Sequence, residues 1–377
     1  MAISDILRAA QSGEANLLQL LRQLVEIESP SDDKAAVDHA NDRVTGWVEA
    51  LGGSIKRHRQ RAFGDVLELR FGPARSKRSR VLLLGHLDTV WPVGTLAKMP
   101  WREADGKVFG PGILDMKVGV MMALEAIRIL RDLDVQRPVT LLLNSDEEIG
   151  SPISRPITEK IAQQCAAVLV LEPAQGLAYK TARKGVGHFD LRVTGVGAHA
   201  GVDFETGHSA IREMARLVET ISNFTDPSKG RTLNVGVIAG GTRSNVIAAE
   251  CTAQVDARIV KASDARTVER LMRSLRVTDP ACKLEVTGGV NRPPMERKPG
   301  TIALFKQARK LAAEIGLNLQ EASTGGGSDG NFTAALGIPT LDGMGAVGAG
   351  AHAIHEHIVR AHLVERTTLL TAMLAAV

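Results

Sequence analysis

The stretch VTLLLNSDEEIG, residues 139–150, sets an apolar run directly against three consecutive acidic side chains. Residues 139–143 predict a strand buried on both faces, because nearly every position is apolar. Asp146, Glu147 and Glu148 follow where that strand leaves the core. An isolated acidic triplet is usually a solvated turn. The rest of the chain must therefore show whether these carboxylates hold a cation.

Similar apolar runs alternate with helical segments through the first half of the chain. DVLELRF (65–71), RVLLLGH (80–86) and AAVLVLEP (166–173) have strand character, and a helix is predicted near 116–132. Buried strands that alternate with helices are typical of a parallel or mixed sheet covered on both faces. We therefore predict an α/β domain with a mixed sheet covered by helices.

The pattern changes near residue 184. Half-exposed strands and two amphipathic helices then follow in the order β-α-β-β-α-β, which is the ferredoxin-like pattern. The earlier alternation of helices and strands resumes after NRPP. We predict a discontinuous catalytic domain, residues 1–183 and 290–377, interrupted by a ferredoxin-like α+β lid and dimerisation domain at 184–289.

The composition argues against several classes of partner. The net charge is +4 over 377 residues and aromatic residues make up 3%, so nothing favours a nucleic-acid partner. No apolar stretch reaches about 18 residues, and the N-terminal segment resembles an amphipathic helix more than a signal peptide. Three cysteines without a CxxC pair favour a reducing compartment. We expect a cytoplasmic protein with no membrane partner and a small anionic substrate.

Side chains with metal-binding chemistry follow the predicted strands. His86 and Asp88 end one strand and share a face, where a carboxylate can fix the tautomer of a metal-bound imidazole. Glu172 ends another strand. Asp115 lies in the Gly-rich segment GPGILDMKVGV (110–120), where a helix-capping role is the alternative.

Three histidines lie in the late segment GAGAHAIHEH, residues 348–357. They are either a solvated cluster or part of a site. The carboxyl ends of strands in an α/β sheet meet at one edge, so the polar residues that follow them can converge. A mixed set of imidazoles and carboxylates suits Zn²⁺ or a related ion, and a pair of ions would neutralise the adjacent acids.

These motifs resemble the co-catalytic zinc aminoacylase and carboxypeptidase superfamily, which includes glutamate carboxypeptidases of the carboxypeptidase G type, acetylornithine deacetylase and succinyl-diaminopimelate desuccinylase. The likeness covers nearly the whole chain through GHLDTV, GPGILDMKVG, SDEEIGS, LEP and a late GAH…EH. It is closest to the glutamate carboxypeptidase branch, through GVGAHAG, RSNVIAAECTAQVDAR, NRPP and STGGGSDGNF. The implied fold is the phosphorylase/hydrolase-like dizinc exopeptidase domain with an inserted lid.

The resemblance implies two Zn²⁺ ions, with Co²⁺ or Mn²⁺ as alternatives. The implied ligands are Asp115 for the bridge, His86 and Glu172 for the first ion, and Glu148 and His352 for the second. His352 is preferred over His355 because its distance to Glu356 matches the spacing in the superfamily. Glu147 is implied as the general base and Asp88 as the support of His86. Asp146 would then hold the turn.

The resemblance also implies functional residues in the lid. His199 would stabilise the oxyanion from across a dimer interface, and Asn245, Arg258 and Arg292 would bind the substrate. Taken alone, His199 has the alternative of a structural role, and Arg258 that of a surface salt bridge. The glycines of TGGGSDG permit close approach of backbone donors to a substrate, whereas the Lys and Ser/Thr of a phosphate-binding loop are missing.

The predicted function is hydrolysis of the amide bond of an N-acyl amino acid or a C-terminal glutamate-like residue by a metal-dependent homodimer. An acetylornithine deacetylase-type deacylase and a dipeptidase are the enzymatic alternatives. A metal-free binding protein on the same fold is the alternative outside enzymes.

Overall fold

The computed structural model describes residues 2–73 and 75–377. The helices within these residues are α1 Ile3–Val25, α2 Lys34–Ala50, α3 Val118–Asp132, α4 Ser154–Ala162, α5 Ala210–Ser222, α6 Ser263–Arg273, α7 Pro299–Glu314, α8 Gly330–Ala335 and α9 Leu363–Ala376. The strands are β1 Ser54–His58, β2 Val66–Phe71, β3 Val81–His86, β4 Arg102–Ala104, β5 Lys107–Phe109, β6 Val139–Asn144, β7 Ala167–Val170, β8 Tyr179–Arg183, β9 Gly185–Thr194, β10 Thr232–Gly240, β11 Glu250–Ile259, β12 Lys283–Arg292, β13 Glu321–Thr324, β14 Thr340–Leu341, β15 Gly348–Ala349 and β16 His357–Val359.

The chain divides into two compact units. The first consists of Met1–Ala182, Arg297–Ser323 and Ser328–Val377, and the second of Arg183–Glu296 and Thr324–Gly327. Within the described residues no helix combines the length and the apolar character needed to cross a membrane.

The first unit is built on a six-stranded mixed sheet in the order β1-β2-β6-β3-β7-β14. β6, β3, β7 and β14 run parallel, whereas β1 and β2 are antiparallel to their neighbours. The strands are apolar at successive positions because both faces are covered. Leu83 and Leu141 belong to the cluster that includes α1, α3 and α9, whereas Leu82 and Leu142 pack with Ile161 of α4. Full burial of each leucine contributes about 1.5–3 kcal/mol.

The second unit has a four-stranded antiparallel sheet in the order β10-β11-β9-β12, with α5 and α6 as its helices. The chain order β9-α5-β10-β11-α6-β12 is the predicted ferredoxin-like arrangement. Burial alternates along β9, so Phe189, Leu191 and Val193 face the core while the intervening side chains are exposed. The predicted α/β class, with a mixed sheet and an inserted α+β lid, is confirmed.

The second unit is longer than the predicted segment 184–289. β12 continues to Arg292, which pairs with Val186 of β9, so the unit cannot end before that strand does. The glycine loop Thr324–Gly327 also belongs to it, although the sequence placed that loop in the catalytic domain. Arg183 holds the loop by donating hydrogen bonds to the carbonyl oxygens of Gly326 (3.3 Å) and Gly327 (3.0 Å).

Candidate metal centre

Three neighbouring strands of the main sheet deliver polar side chains to its carboxyl edge. His86 is the last residue of β3, which lies between β6 and β7. A single turn, Glu147–Ile149, follows β6, and Glu172 comes two residues after β7 ends. Because parallel strands end at the same edge, these side chains converge there.

The Asp115 carboxylate lies between two imidazoles. Its Oδ1 is 3.3 Å from Nε2 of His86, and its Oδ2 is 3.4 Å from Nε2 of His352. Asp115 occupies the turn Ile113–Lys117, which precedes α3 and contains the cis peptide bond Asp115–Met116. Each oxygen of one carboxylate therefore faces a different imidazole, as a ligand that bridges two cations requires.

Two further carboxylates complete the cluster. Glu148 Oε2 is 3.1 Å from Nε2 of His352, and Glu172 Oε1 is 3.7 Å from Nε2 of His86. Ligand atoms within 4.8 Å of one another form two overlapping groups: His86, Asp115 and Glu148, and His86, Glu147 and Glu172. The structure thus brings together all five predicted ligands and the predicted base.

Two buried side-chain atoms in this cluster make no hydrogen bond to the described residues and are available to bind a metal. Within the described chain, Nε2 of His86 and Oε1 of Glu148 are buried without a hydrogen-bond partner. Burying a polar atom without a hydrogen bond costs about 1–3 kcal/mol. We therefore expect a bound group outside the chain to be the partner of these atoms. Nδ1 of His86 donates to the carbonyl oxygen of Asp88 at 2.9 Å, which leaves the Nε2 lone pair for a metal. The donor set fits Zn²⁺, which prefers imidazole and carboxylate ligands.

The cluster carries a strong negative potential. Hydrogen bonds to Asp115 and Glu148 raise the pKa of His352 to about 10. Burial lowers the pKa of His86, but the adjacent carboxylates of Asp115 and Asp88 outweigh it and raise that pKa well above its usual value. Burial also raises the pKa of Glu148. The carboxylates therefore favour any nearby positive charge, and a divalent cation is one that satisfies several of them together.

Asp88 connects two of the ligand-bearing segments. Its Oδ2 accepts hydrogen bonds from the Ser31 hydroxyl (2.7 Å) and the Glu148 backbone N–H (3.1 Å). Its Oδ1 lies 3.4 Å from Nδ1 of His86, farther than its own carbonyl oxygen. The backbone of Asp88 thus orients the imidazole, while its side chain holds the Glu147–Ile149 turn.

Comparison with known proteins agrees with this geometry. The sequence profile of peptidase family M20/M25/M40 matches residues 82–376. The chain belongs to this family. It is 29% identical over 381 residues to carboxypeptidase G2 from Pseudomonas sp. (strain RS-16), which covers 98% of this chain and 91% of that protein. It is 28% identical over 261 residues to acetylornithine deacetylase from Proteus mirabilis (strain HI4320), covering 64% and 66% of the two chains.

The fold of this chain is also found in proteins whose structures have been solved. Aminopeptidase PepT from Bacillus cereus ATCC 10987 superimposes with a TM-score of 0.78 at 21% identity, over 96% of this chain and 98% of that one. The match to the family profile confirms the predicted superfamily and the prediction of a metallohydrolase. The chain is a metallohydrolase of a family that includes peptidases and amidohydrolases.

A buried polar network lies behind the Glu147–Ile149 turn. Asp329 accepts hydrogen bonds from Nδ2 of Asn144 (2.5 Å) and from the Ser151 hydroxyl, on the two sides of the turn. Asp146 Oδ2 accepts from the N–H groups of Ile153 (2.7 Å) and Ser154 (3.2 Å) at the start of α4. Asp146 thus holds the turn, as expected. The sequence interpretation missed Asp329, which it grouped with the preceding glycines as a substrate loop.

The predicted lid residues lie in the second unit. His199 is exposed, and its Nδ1 accepts a hydrogen bond from the Gly201 N–H at 3.2 Å. The neutral ring then carries its proton on Nε2, where it can act as a donor. Asn245 is nearby, because its backbone carbonyl oxygen accepts a hydrogen bond from the Ala200 N–H at 2.9 Å. Arg292 ends β12 and is buried.

Arg258 has a partner that the sequence interpretation did not consider. Its Nε and one terminal nitrogen form a bidentate pair with Asp256, at 2.8 Å each to the closest oxygens, and Nη1 donates to the Gly325 carbonyl at 3.3 Å. A substrate carboxylate would have to share or replace this pair. The spacing i, i+2 on a predicted strand was the available signal, since such residues share a face.

Proposed function

We propose that the protein is a two-zinc exopeptidase or amidohydrolase that releases a C-terminal glutamate-like residue or hydrolyses an N-acyl amino acid. The observation that carries this proposal is the Asp115 carboxylate, which presents one oxygen to each of two imidazoles beside Glu147. His86 and Glu172 would hold one ion, Glu148 and His352 the other. Co²⁺ and Mn²⁺ are alternatives to Zn²⁺. The similarity to carboxypeptidase G2 over 98% of the chain supports the glutamate-like substrate.

Each residue has a defined task in this reaction. The bound ions supply Lewis acidity and lower the pKa of water toward neutrality. The Glu147 carboxylate takes a proton from the attacking water and delivers it to the leaving nitrogen. Nε2–H of His199 donates to the oxyanion, and Asn245 assists in binding. Arg258 and Arg292 bind the substrate carboxylate, the former in competition with Asp256.

Removal of the acyl group from an N-acylated amine such as acetylornithine is the second candidate. The similarity to acetylornithine deacetylase favours it. A dipeptidase is a further alternative. Amine release from a panel of N-acyl glutamates, N-acetylornithine and dipeptides separates these candidates. The glutamate-like proposal fails if N-acetylornithine or a neutral dipeptide is the preferred substrate by kcat/KM.

Metal analysis tests the proposal directly. We expect protein purified without chelator to contain about two zinc ions per chain, because two sets of ligands meet at Asp115. Removal of the ions should abolish hydrolysis, and their return should restore it. Elemental analysis alongside an activity titration measures both quantities. A fully active protein with no bound metal would contradict the metal-dependent reaction. An inactive protein that binds no metal would favour the binding-protein alternative.

Blocking the substrate carboxylate should lower the rate. Loss of a charge-assisted hydrogen bond to an arginine costs about 1.5–3 kcal/mol, so kcat/KM for an amidated N-acyl glutamate should fall about tenfold or more. The measurement compares the free acid with its α-amide. Substitution Arg258→Gln should remove most of the difference between them. Equal rates on free and blocked substrates in the unaltered enzyme would contradict a carboxylate-binding role.

We further propose that the active form is a cytoplasmic homodimer, with neither nucleic acid nor membrane as a partner. The edge strand β10 of the second unit supports self-association, because Val237 and Ile238 are 53% and 54% exposed on it. Unpaired apolar edges are usually covered, and a second copy of the same edge can cover this one about a two-fold axis.

A further inference from the structure

Glu356 is a buried carboxylate with four hydrogen-bond donors. Its Oε2 accepts from the Trp91 indole N–H (2.8 Å) and the Gly112 backbone N–H (3.0 Å). Its Oε1 accepts from the backbone N–H groups of Leu114 (2.8 Å) and Asp115 (3.1 Å). Three of the four donors therefore belong to residues 112–115, which overlap the start of the turn Ile113–Lys117. This turn carries Asp115, whose carboxylate lies between the two imidazoles.

These bonds offset part of the cost of burying the side chain. Glu356 is fully buried, and burial raises its pKa while the N–H donors of Asp115, Trp91 and Gly112 lower it. The four N–H donors need both carboxylate oxygens as acceptors. A donor that loses its acceptor becomes a buried group without a hydrogen bond. A carboxamide of the same shape would offer one acceptor oxygen and turn an N–H₂ group toward backbone donors.

The loop that carries Glu356 also carries His352. Two backbone hydrogen bonds stabilise the conformation of this loop. The Ala353 N–H donates to Gly350 O and the Glu356 N–H donates to Ala353 O, both at 2.8 Å. His352 itself has a φ of 63°, in the left-handed region that side chains other than glycine seldom adopt. The loop therefore meets the Asp115 turn twice, through Glu356 at the backbone and through Nε2 of His352, 3.4 Å from Asp115 Oδ2.

We propose that Glu356 is a positioning residue for the metal centre. Its carboxylate fixes the turn 112–115 against the His352 loop, so that Asp115 and His352 reach an ion in one fixed relation. Groups that orient metal ligands from behind typically change metal affinity by about 10- to 100-fold when they are replaced. The inference rests on the proposed function only in that Asp115 and His352 bind metal, whatever the substrate.

The test compares Glu356→Gln with Glu28→Gln. Glu28 is the control, because its two oxygens also accept backbone N–H groups, from Gly94 and Leu96 at 2.7 Å each, in a loop without a predicted ligand. Its side chain is half-buried, whereas that of Glu356 is fully buried. Zinc affinity is measured by competition with a chelator of known affinity, and thermal unfolding is measured with chelator in excess. We expect zinc affinity to fall about 10- to 100-fold in Glu356→Gln and to stay within about threefold of wild type in Glu28→Gln.

Each result has a separate meaning. Unchanged zinc affinity in Glu356→Gln overturns the inference, and so does an equal loss in both variants, which would indicate general loosening. The number of ions in the wild type tests the two-metal proposal independently, since the affinity ratio can be measured for one ion or two.

Hydrogen exchange on the unaltered protein keeps the inference testable if Glu356→Gln does not fold. The amides of Leu114 and Asp115 should be protected in metal-free protein, because Glu356 rather than the metal holds them. Fast exchange of these amides, with protection gained only when zinc is added, would contradict a preformed support.

Discussion

Replacement of Glu147 by glutamine lowers kcat by about 10²–10⁴-fold and leaves the metal content unchanged, if Glu147 is the general base. Glutamine has the same shape as glutamate but cannot accept the proton of the attacking water. Glu147 follows β6 in the same turn as Glu148, and both backbones are held by the surrounding hydrogen bonds. The loss should therefore concern proton transfer rather than folding, and kcat should fall more than KM rises.

The adjacent substitution Glu148→Gln is the matched control. Glu148 Oε2 lies 3.1 Å from Nε2 of His352, and its Oε1 is a buried atom without a partner among the described residues. We expect this variant to lose zinc affinity as well as activity. The measurements are elemental analysis and steady-state kinetics on both variants.

The exchanged assignment is the alternative, because an oxygen of Glu147 lies within 4.8 Å of the potential ligand atoms of His86 and Glu172. If Glu147→Gln strips the metal while Glu148→Gln keeps it, Glu147 is the ligand and Glu148 the base. The pair of variants decides between these two assignments, because both glutamates lie near other ligands of the cluster.

The convergence of three of the five ligands was predictable from local patterns, whereas Asp115 and His352 were assigned through the family resemblance. His86, Glu148 and Glu172 each follow an apolar run, and the rule that parallel strands end at one edge was sufficient to place them together. The order of strands and helices in 184–289 likewise predicted the ferredoxin-like unit. Such signals are carried by neighbouring residues along the chain, so one sequence contains them.

The supports that come from residues distant in the sequence were not predictable in this way, unlike Asp88, which was expected beside His86. Glu356 is separated from Asp115 by 241 residues, and Asn144 from Asp329 by 185. Nothing near Glu356 in the sequence distinguishes a buried acceptor of four N–H groups from an exposed acid beside histidines. Whether such a carboxylate is buried depends on which distant backbone donors meet it, and tertiary packing decides that. The same holds for Arg258, whose pairing with Asp256 competes with the predicted substrate contact.

Activity should also depend on two chains if His199 completes the metal centre of its partner. The hydrogen bond from the Gly201 N–H to Nδ1 leaves Nε2–H of His199 as an exposed donor. An oxyanion-stabilising donor contributes about 10²–10³-fold to kcat, so His199→Ala should be nearly inactive by itself. Its metal content should be normal, because His199 is outside the cluster of ligands.

A mixture of two inactive variants tests this dependence. In a heterodimer of His199→Ala and Glu147→Gln, the first chain retains Glu147 and receives His199 from the second, so one of the two centres is complete. Statistical exchange makes half of the dimers mixed, and we expect about a quarter of the activity of the same amount of wild type. A mixture of Glu147→Gln and Glu148→Gln is the control, since it leaves both centres defective and should remain inactive.

The outcome separates assembly from catalysis. If exchange is demonstrated with differently tagged chains and the first mixture stays inactive, His199 acts within its own chain or has no role in the reaction. A dimer that forms through β10 is then still testable, because a charge at an apolar edge position, as in Ile238→Lys, should disrupt it. Monomers of Ile238→Lys that retain full activity would contradict the requirement for two chains, whereas monomers that lose activity but keep their zinc would locate the missing donor in the partner.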